Sequence, residues 1–409
     1  MSDARIVRFF SLALVLAASL YSVALCWLNT HGWPMSNATV AATDAAIVVA
    51  ALALACMANA STTVLPLIAI AINFLVIAFF APSIELKSAR DALVLLAFLS
   101  LGIGAGNIRV AQFAFFAVAA CVLALGLFEL LAPRLYATNL NVLQFYIMRG
   151  TIDPKVREWV DTSLFVSSMR AGERNLIAFL GPHRVSSIFL EPVSMGNFGA
   201  IAIAWALSVG RKHWRTALAA VLIGASAIVA ADARFAVVAV LVFLVARLVP
   251  HDWNRILLTV APLGAIGVLF AMGSRHLIGD DLPSRLSVSG AAIAALSPAE
   301  LLGLASGGQG TLDSGYAYAL SAFGLPLCVA LWIAFVWLPT PGAQSTRLKM
   351  LIGCYICTLL CISGSSLFAL KTAALAWFLL GAMIAEETVR TPAPSLIRGP
   401  RPEWREGFA

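Results

Sequence analysis

Apolar residues run along this chain in long blocks and do not alternate with polar ones. The blocks fall at about 9–28, 41–58, 63–80, 92–106, 110–131, 189–209, 217–231, 235–249, 256–273, 315–338, 350–367 and 371–386. A bilayer core of ~30 Å takes ~20 residues of helix at ~1.5 Å rise per residue. Without water in that core, only a helix or a closed barrel satisfies the backbone. The ten-residue alternation of barrel strands does not occur in the sequence. The pattern therefore predicts an all-α polytopic membrane protein with about twelve transmembrane helices. The fourth, seventh and eighth blocks are short, and the seventh and eighth are almost continuous. The first block follows Arg5 and Arg8 as a signal peptide would, and Val23-Ala-Leu-Cys26 loosely matches a lipoprotein box. Its apolar run exceeds a usual signal core, and Leu25 is the wrong size before the cysteine, so it is read as a helix.

The polar residues between blocks set an orientation. Lys and Arg accumulate on the cytoplasmic side of membrane proteins. Arg5 and Arg8 place the N-terminus there. Counting forward, Arg109, then Arg211, Lys212 and Arg215, then Arg247 and Arg255, then Arg347 and Lys349 fall on the same side. Arg390, Arg398, Arg401 and Arg405 put the C-terminus there too. The chain reads as one membrane domain, 1–387, followed by a Pro- and Arg-rich cytoplasmic tail, 388–409, expected to be disordered.

Two large loops, about 132–188 and 274–314, then face outward. The first carries Arg134, Arg149, Lys155, Arg157, Arg170, Arg174 and Arg184 against Asp153, Glu158, Asp161 and Glu173, a surplus of three positive charges. An outward basic surplus beside a membrane suits an acidic ligand. Apolar positions from Trp159 to Leu180 predict one or two short helices on the membrane surface. Val288–Leu304 predicts another, started or kinked by Pro298.

Composition supports this picture, at 61% hydrophobic and 11% charged residues. No soluble catalytic domain and no nucleic-acid-binding segment is expected. The seven cysteines all lie in apolar blocks and read as small packing residues, suggesting neither disulfides nor metal. Gly102-Ile-Gly-Ala-Gly106 suits close helix contact or the end of a helix.

Three constellations carry candidate chemistry. The first is Arg170, Arg174 and Arg184 with Glu191. An Arg at the mouth of a membrane bundle calls for an anionic partner, and a guanidinium grips phosphate with two parallel hydrogen bonds. Arg170 and Arg174 are spaced to share a helix face. Glu191 is either an acid favoured at a helix start or an orienter for Arg184. The second is Asp232-Ala-Arg234-Phe, an interfacial ion pair or a second anion contact. The third is Asp313-Ser-Gly-Tyr316, where Asp313 either caps a helix or handles the proton of a sugar hydroxyl. His276, beside Arg275, is a further acid–base candidate. Asp44 and Lys371, near outer helix ends, read as structural. The outer loops carry no Asp-x-Asp motif, so arginine and not a metal is expected to neutralise phosphates. No metal or cofactor is expected.

In these blocks the chain resembles the O-antigen polymerase and ligase superfamily. Arg184 through Gly196-Asn-Phe-Gly199 is similar to the family's Arg…Glu-Pro…Gly block. Asp232-Ala-Arg234-Phe is similar to its Ser-Arg block. Asp313 through Phe323-Gly-Leu-Pro326 is similar to its late His/Asp…Gly-Leu block. The likeness spans about 180–340. It implies a glycosyltransferase C-type membrane fold and inverting, metal-independent transfer at the periplasmic face of a bacterial inner membrane. The implied substrates are oligosaccharides and polysaccharides linked to undecaprenyl diphosphate, within membrane lipid and alongside a chain-length regulator. Arg184 and Arg234 match the family's diphosphate-binding arginines. Ligase members commonly have His where Asp313 stands. That departure weakens the ligase reading, while the long first loop and the Arg184-to-Gly196 spacing resemble polymerases of exopolysaccharide or O-antigen repeat units, including the xanthan type. A ligase, or a non-catalytic transporter of lipid-linked oligosaccharide, stands as the alternative.

Overall fold

The computed structural model describes residues 2–80, 86–158, 160, 162–169, 181–210, 213–275, 277, 279, 281–305, 314–363 and 366–390. Among them every regular element is a helix, and one isolated bridge joins Met169 to His183. The first five helices are α1 (Ser2–Thr30), α2 (Asn37–Ala58), α3 (Ala60–Phe80), α4 (Leu86–Ala105) and α5 (Ile108–Leu131). Short helices α6 (Pro133–Asn139) and α7 (Val142–Met148) follow. Then come α8 (Pro192–Ser208), α9 (Trp214–Ala230), α10 (Arg234–Ala246) and α11 (Asn254–Gly273). The chain continues through α12 (Leu282–Ala294), α13 (Pro298–Leu301), α14 (Gly315–Trp337), α15 (Ala343–Leu360) and α16 (Leu370–Arg390).

Each of the twelve apolar blocks overlaps a helix, although the block predicted at 350–367 is displaced, its helix α15 running over Ala343–Leu360. Eight of these helices are long and apolar enough to cross a membrane: α1 to α5, α11, α14 and α16. Helices α8, α9 and α10 are apolar but shorter. Helix α15 carries Arg347 and Lys349 near its start.

Hydrogen bonds between helix ends sort the bundle into two ends. At one, Arg8 of α1 donates to the Ala105 carbonyl closing α4, and the Ile108 amide opening α5 donates to Glu386 near the end of α16. The Gln344 amide opening α15 donates to Glu387 of α16, and Arg247, just past α10, donates to the Leu207 carbonyl of α8. At the other end, Arg90 of α4 pairs with Asp44 of α2, and Lys371 of α16 pairs with Glu191 before α8. The candidate site lies at this second end.

The most extensive seam joins α4 to α16. A Cβ on Gly381 would overlap the Leu99 carbonyl oxygen, and one on Gly102 would overlap the Phe378 carbonyl oxygen. Small residues here let two backbones touch, which is how helices gain packing energy in lipid. Gly106 (φ 59°) then ends α4. Both readings of the glycine stretch hold.

Several loop expectations need correction. In the first loop two short helices, α6 and α7, precede the predicted surface helices. Pro133 opens α6 at a position needing no amide hydrogen, and the Asn141 side chain accepts the Gln144 amide at the start of α7. Of the predicted Trp159–Leu180 helices, the described part holds only a 3-10 turn at Val166–Ser168; Trp159 and 170–180 lie outside the described residues. The second-loop helix begins at Leu282, not Val288, because the Asp281 carboxylate accepts the Ser284 amide at 2.9 Å. Pro298 opens a separate helix, α13, behind a Ser297–Glu300 capping box. Helix α12 lies along α11, with Gly290 against the Leu269 carbonyl and Gly273. Asp281→Ala is expected to lower stability by ~1 kcal/mol through the lost cap, read as a small fall in detergent-solution melting temperature.

Helix α14 is two helices joined at Gly324, whose φ of 73° no helical residue adopts, with Pro326 following. Its cap is Ser314, whose hydroxyl accepts the Ala317 amide at 3.4 Å; Asp313, read as a cap candidate, lies outside the described residues. Helix α16 runs to Arg390, past the predicted boundary at 387; residues 391–409 of the predicted tail lie outside the described residues.

Candidate functional site

Between Arg184 and Glu191 the chain leaves the helical pattern while inside the bundle. Residues Val185 through Leu190 are at most 1% exposed. Ser187 (φ 52°) and Leu190 (φ 62°) hold a left-handed backbone that side-chain-bearing residues adopt at a cost. Backbone polar groups in such surroundings must be met from elsewhere in the protein.

Glu129, in the last turn of α5 and 0% exposed, meets several of them. Its Oε2 accepts the amides of Ser186 at 2.9 Å and Ser187 at 2.7 Å, and its Oε1 accepts the Ser186 hydroxyl at 3.0 Å. His183 Nε2 lies 3.2 Å from the same Oε1. Tyr136 of α6 donates to the Ser187 carbonyl at 2.7 Å, and Lys371 donates to the Phe189 carbonyl at 2.8 Å. The Val185 amide donates to the Ala230 carbonyl at 2.9 Å.

This framework positions Arg184, a buried guanidinium. Its Nε donates to the Ala231 carbonyl at 2.9 Å and its Nη1 to the Ser167 carbonyl at 3.0 Å. Ala231 opens the turn between α9 and α10, which passes through Asp232 (φ 45°) to Arg234. A direct bond therefore ties Arg184 to the turn that presents Arg234.

Both arginines line one cavity of about 1720 Å³. Lys87, Arg90, Arg149, Arg285 and Lys371 line it as well, against the carboxylates of Asp44 and Glu191. Seven cations thus face two anions among the described lining residues. Beside Arg234 and Arg285 the wall turns apolar, with Phe235 and Val238 from α10, Ala265 and Val268 from α11, and Leu286 from α12. A surplus of fixed positive charge in a low-dielectric bundle favours an anionic occupant.

The carboxylates have set partners. Glu191 Oε2 lies 3.0 Å from Lys371 Nζ and accepts the Ser194 hydroxyl at 3.0 Å, while Oε1 accepts the Tyr146 hydroxyl. Burial works against the ionised Glu191, but Lys371 and these hydroxyls outweigh it and hold its carboxyl below the usual range. Burial, then the Glu191 charge, pushes the Tyr146 phenol well above its ordinary value, so it remains a donor. On another wall Arg90 Nη1 reaches Asp44 Oδ2 at 2.5 Å and its Nε reaches Asp91 Oδ1 at 2.9 Å. Tyr318 of α14 donates to Asp91 Oδ2 at 2.5 Å.

The structure brings Arg184, Arg234 and Glu191 to one cavity. Glu191 serves Lys371, Tyr146 and Ser194. Asp232 shapes the turn before Arg234. Tyr316 faces away from the cavity lining, donating to the Cys357 carbonyl of α15 at 3.4 Å. Asp313, His276, Arg170 and Arg174 lie outside the described residues. Asp44 and Lys371, read as structural, line the cavity. Lys87, Arg90, Arg149 and Arg285 join the cavity without a motif in the sequence to single them out, and Glu129 supports it from within an apolar block. A signal for Glu129 existed: a lone carboxylate inside an apolar block is expensive in a membrane. Among the described residues no three His, Cys, Asp or Glu side chains gather as a metal site.

No protein-family model matches the chain, and neither a curated protein nor a solved structure matches it.

Proposed function

We propose that this chain is a polysaccharide polymerase of the bacterial inner membrane. It would have twelve crossings in a glycosyltransferase C-type arrangement, with both termini cytoplasmic and the cavity open to the periplasm. The observation that carries this reading is the convergence of Arg184 and Arg234, from separate segments, on one strongly basic cavity walled by apolar helices. Lipid diphosphates combine just those needs: a concentrated anion and a long apolar tail. The apolar wall beside Arg234 and Arg285 suits the isoprenyl chain, and the volume suits a sugar repeat unit.

In the proposed reaction an acceptor hydroxyl on a lipid-linked repeat unit attacks the anomeric carbon of the growing glycan. The bond from that carbon to the undecaprenyl diphosphate oxygen breaks, and the diphosphate leaves with the electron pair. Arg184 and Arg234 stabilise the charge that develops on it, in a site that needs no reorganisation at that moment. The hydroxyl proton passes to a general base, for which the Asp313 carboxylate is proposed ahead of His276 and Glu191. Glu191 is the weakest of the three, since Lys371 and two hydroxyls already occupy it. Arg170 and Arg174 would draw in the acceptor, and a chain-length regulator would act alongside.

Removing one donor of this kind lowers turnover by ~10²–10³-fold. Strains carrying Arg184→Ala or Arg234→Ala at wild-type protein levels are therefore expected to lose long polymer. Wild-type-length polymer in both would refute the assignment. Long chains that persist on the lipid carrier in a deletion strain would point to a ligase. A requirement for an energy source when purified protein acts on lipid-linked repeats would point to a transporter.

A further inference from the structure

We infer that Arg149 forms a second anion-binding subsite in the cavity, one that takes a phosphate or diphosphate monoester. This subsite is distinct from the Arg184 and Arg234 turn. The inference rests on the proposed reading only in naming a lipid-linked phosphate as its natural ligand.

Arg149 is the residue on which α7 ends. Its amide donates to the Phe145 carbonyl at 3.1 Å, and Gly150 (φ 70°) then turns the chain away. Its guanidinium stacks on the Phe145 and Tyr146 rings, 5.3 Å from each centroid. Tyr146 is itself held by Glu191. The stack fixes the plane of the guanidinium before any ligand arrives, so little side-chain freedom is lost on binding.

What distinguishes Arg149 is that no carboxylate bonds it directly. Among the described residues its side chain forms no ion pair and no hydrogen bond, its Nε is buried without a partner, and the nearby Asp44 is bonded to Arg90 instead. The cavity carboxylates are already engaged, Asp44 by Arg90 and Glu191 by Lys371. Lys87, on the α4 side of the cavity, also lacks an ion pair and lies 5.0 Å over the Tyr318 ring. Counting Asp91 behind the wall, the cluster of Lys87, Arg90, Arg149 and Lys371 against Asp44, Asp91 and Glu191 keeps one positive charge uncompensated. A half-buried guanidinium in that position binds a bidentate oxyanion strongly, because the partner replaces water that the site holds poorly.

Arg149 ends α7 near Asp44 of the α2–α4 ion pair, whereas Arg234 follows the α9–α10 turn and Arg184, from the segment before α8, is bonded to that turn. Two anion subsites on different walls of one cavity allow two lipid phosphates at once. A transfer between two lipid-linked glycans requires this, and single-phosphate chemistry does not.

The test is equilibrium binding of inorganic pyrophosphate and of farnesyl diphosphate to the full chain in lipid nanodiscs. Arg149→Ala is expected to weaken binding at least tenfold, and Arg149→Lys to restore part of it. Because the Arg149 side chain makes no hydrogen bond or ion pair and only its ring contacts are lost, the variant's melting temperature should fall slightly at most. In an Arg184→Ala/Arg234→Ala background, residual binding should persist and then vanish when Arg149→Ala is added. Equal weakening for both probes assigns recognition to the phosphates; weakening for farnesyl diphosphate alone assigns it to lipid-linked ones. Unchanged affinity for both probes in Arg149→Ala would overturn the inference. Loss of binding there with wild-type polymer in the Arg184 and Arg234 variants would keep the subsite and remove the polymerase reading.

Discussion

Glu129→Ala is expected to be among the most damaging single changes in this protein, although Glu129 does not line the cavity. Its carboxylate accepts two amides and a hydroxyl from the buried segment leading out of Arg184. Removing it leaves those donors without partners where water does not reach. Each buried donor left unmet costs about 1–3 kcal/mol, so the total reaches several kcal/mol. That is a large part of the stability of an ordinary domain. The segment also holds left-handed backbone at Ser187 and Leu190, which persists only while its surroundings enforce it. The variant should accumulate poorly in membranes and melt well below wild type after purification. Glu129→Gln should sit between, since one carbonyl oxygen still accepts while the new amide faces donors. Wild-type abundance and melting temperature in Glu129→Ala would show that the segment is held by other contacts.

The second large effect is expected at Gly381. Its position on α16 touches the backbone of α4, and a leucine there would have to separate the two helices. These helices form the most extensive contact in the bundle, so separation opens space along the whole seam. Overpacking a tight contact typically costs ~1–3 kcal/mol, and a backbone-to-backbone contact belongs at or above the top of that range. Gly267→Ala in α11 supplies the control, because a Cβ there meets nothing within 4 Å. Alanine also favours helix over glycine. Thermal unfolding in detergent should fall sharply for Gly381→Leu and stay level or rise for Gly267→Ala. Similar melting temperatures for the two would contradict the seam.

Different parts of the site were legible to different degrees. Arg184 and Arg234 stood out because charged residues near helix ends in an oily chain are rare. Their convergence depends on a bond from Arg184 to the Ala231 carbonyl, 47 residues along the chain. Arg149 looked like one of seven loop bases. Its inferred role comes from what it lacks among the described residues, a directly bonded carboxylate, and that is invisible until its neighbours are placed. Lys371 and Asp44 lay at helix ends where headgroup contact explained them. Their true partners, Glu191 and Arg90, are distant in sequence. In the first loop apolar spacing points to 159–180, most of which lies outside the described residues, whereas the start signals of α6 and α7 are Pro133 and Asn141 earlier in the chain.

The linear order of residues determined the helices and the class of protein. Stability in a bilayer is set residue by residue: an apolar block of sufficient length must satisfy its own backbone, whatever its neighbours do. Tertiary structure alone decided which helix ends meet, which cations are neutralised and which are left over, and how a kinked, buried segment is held open by Glu129. Those outcomes depend on hydrogen bonds between groups tens to hundreds of residues apart, whose energies exist only once the chain has folded.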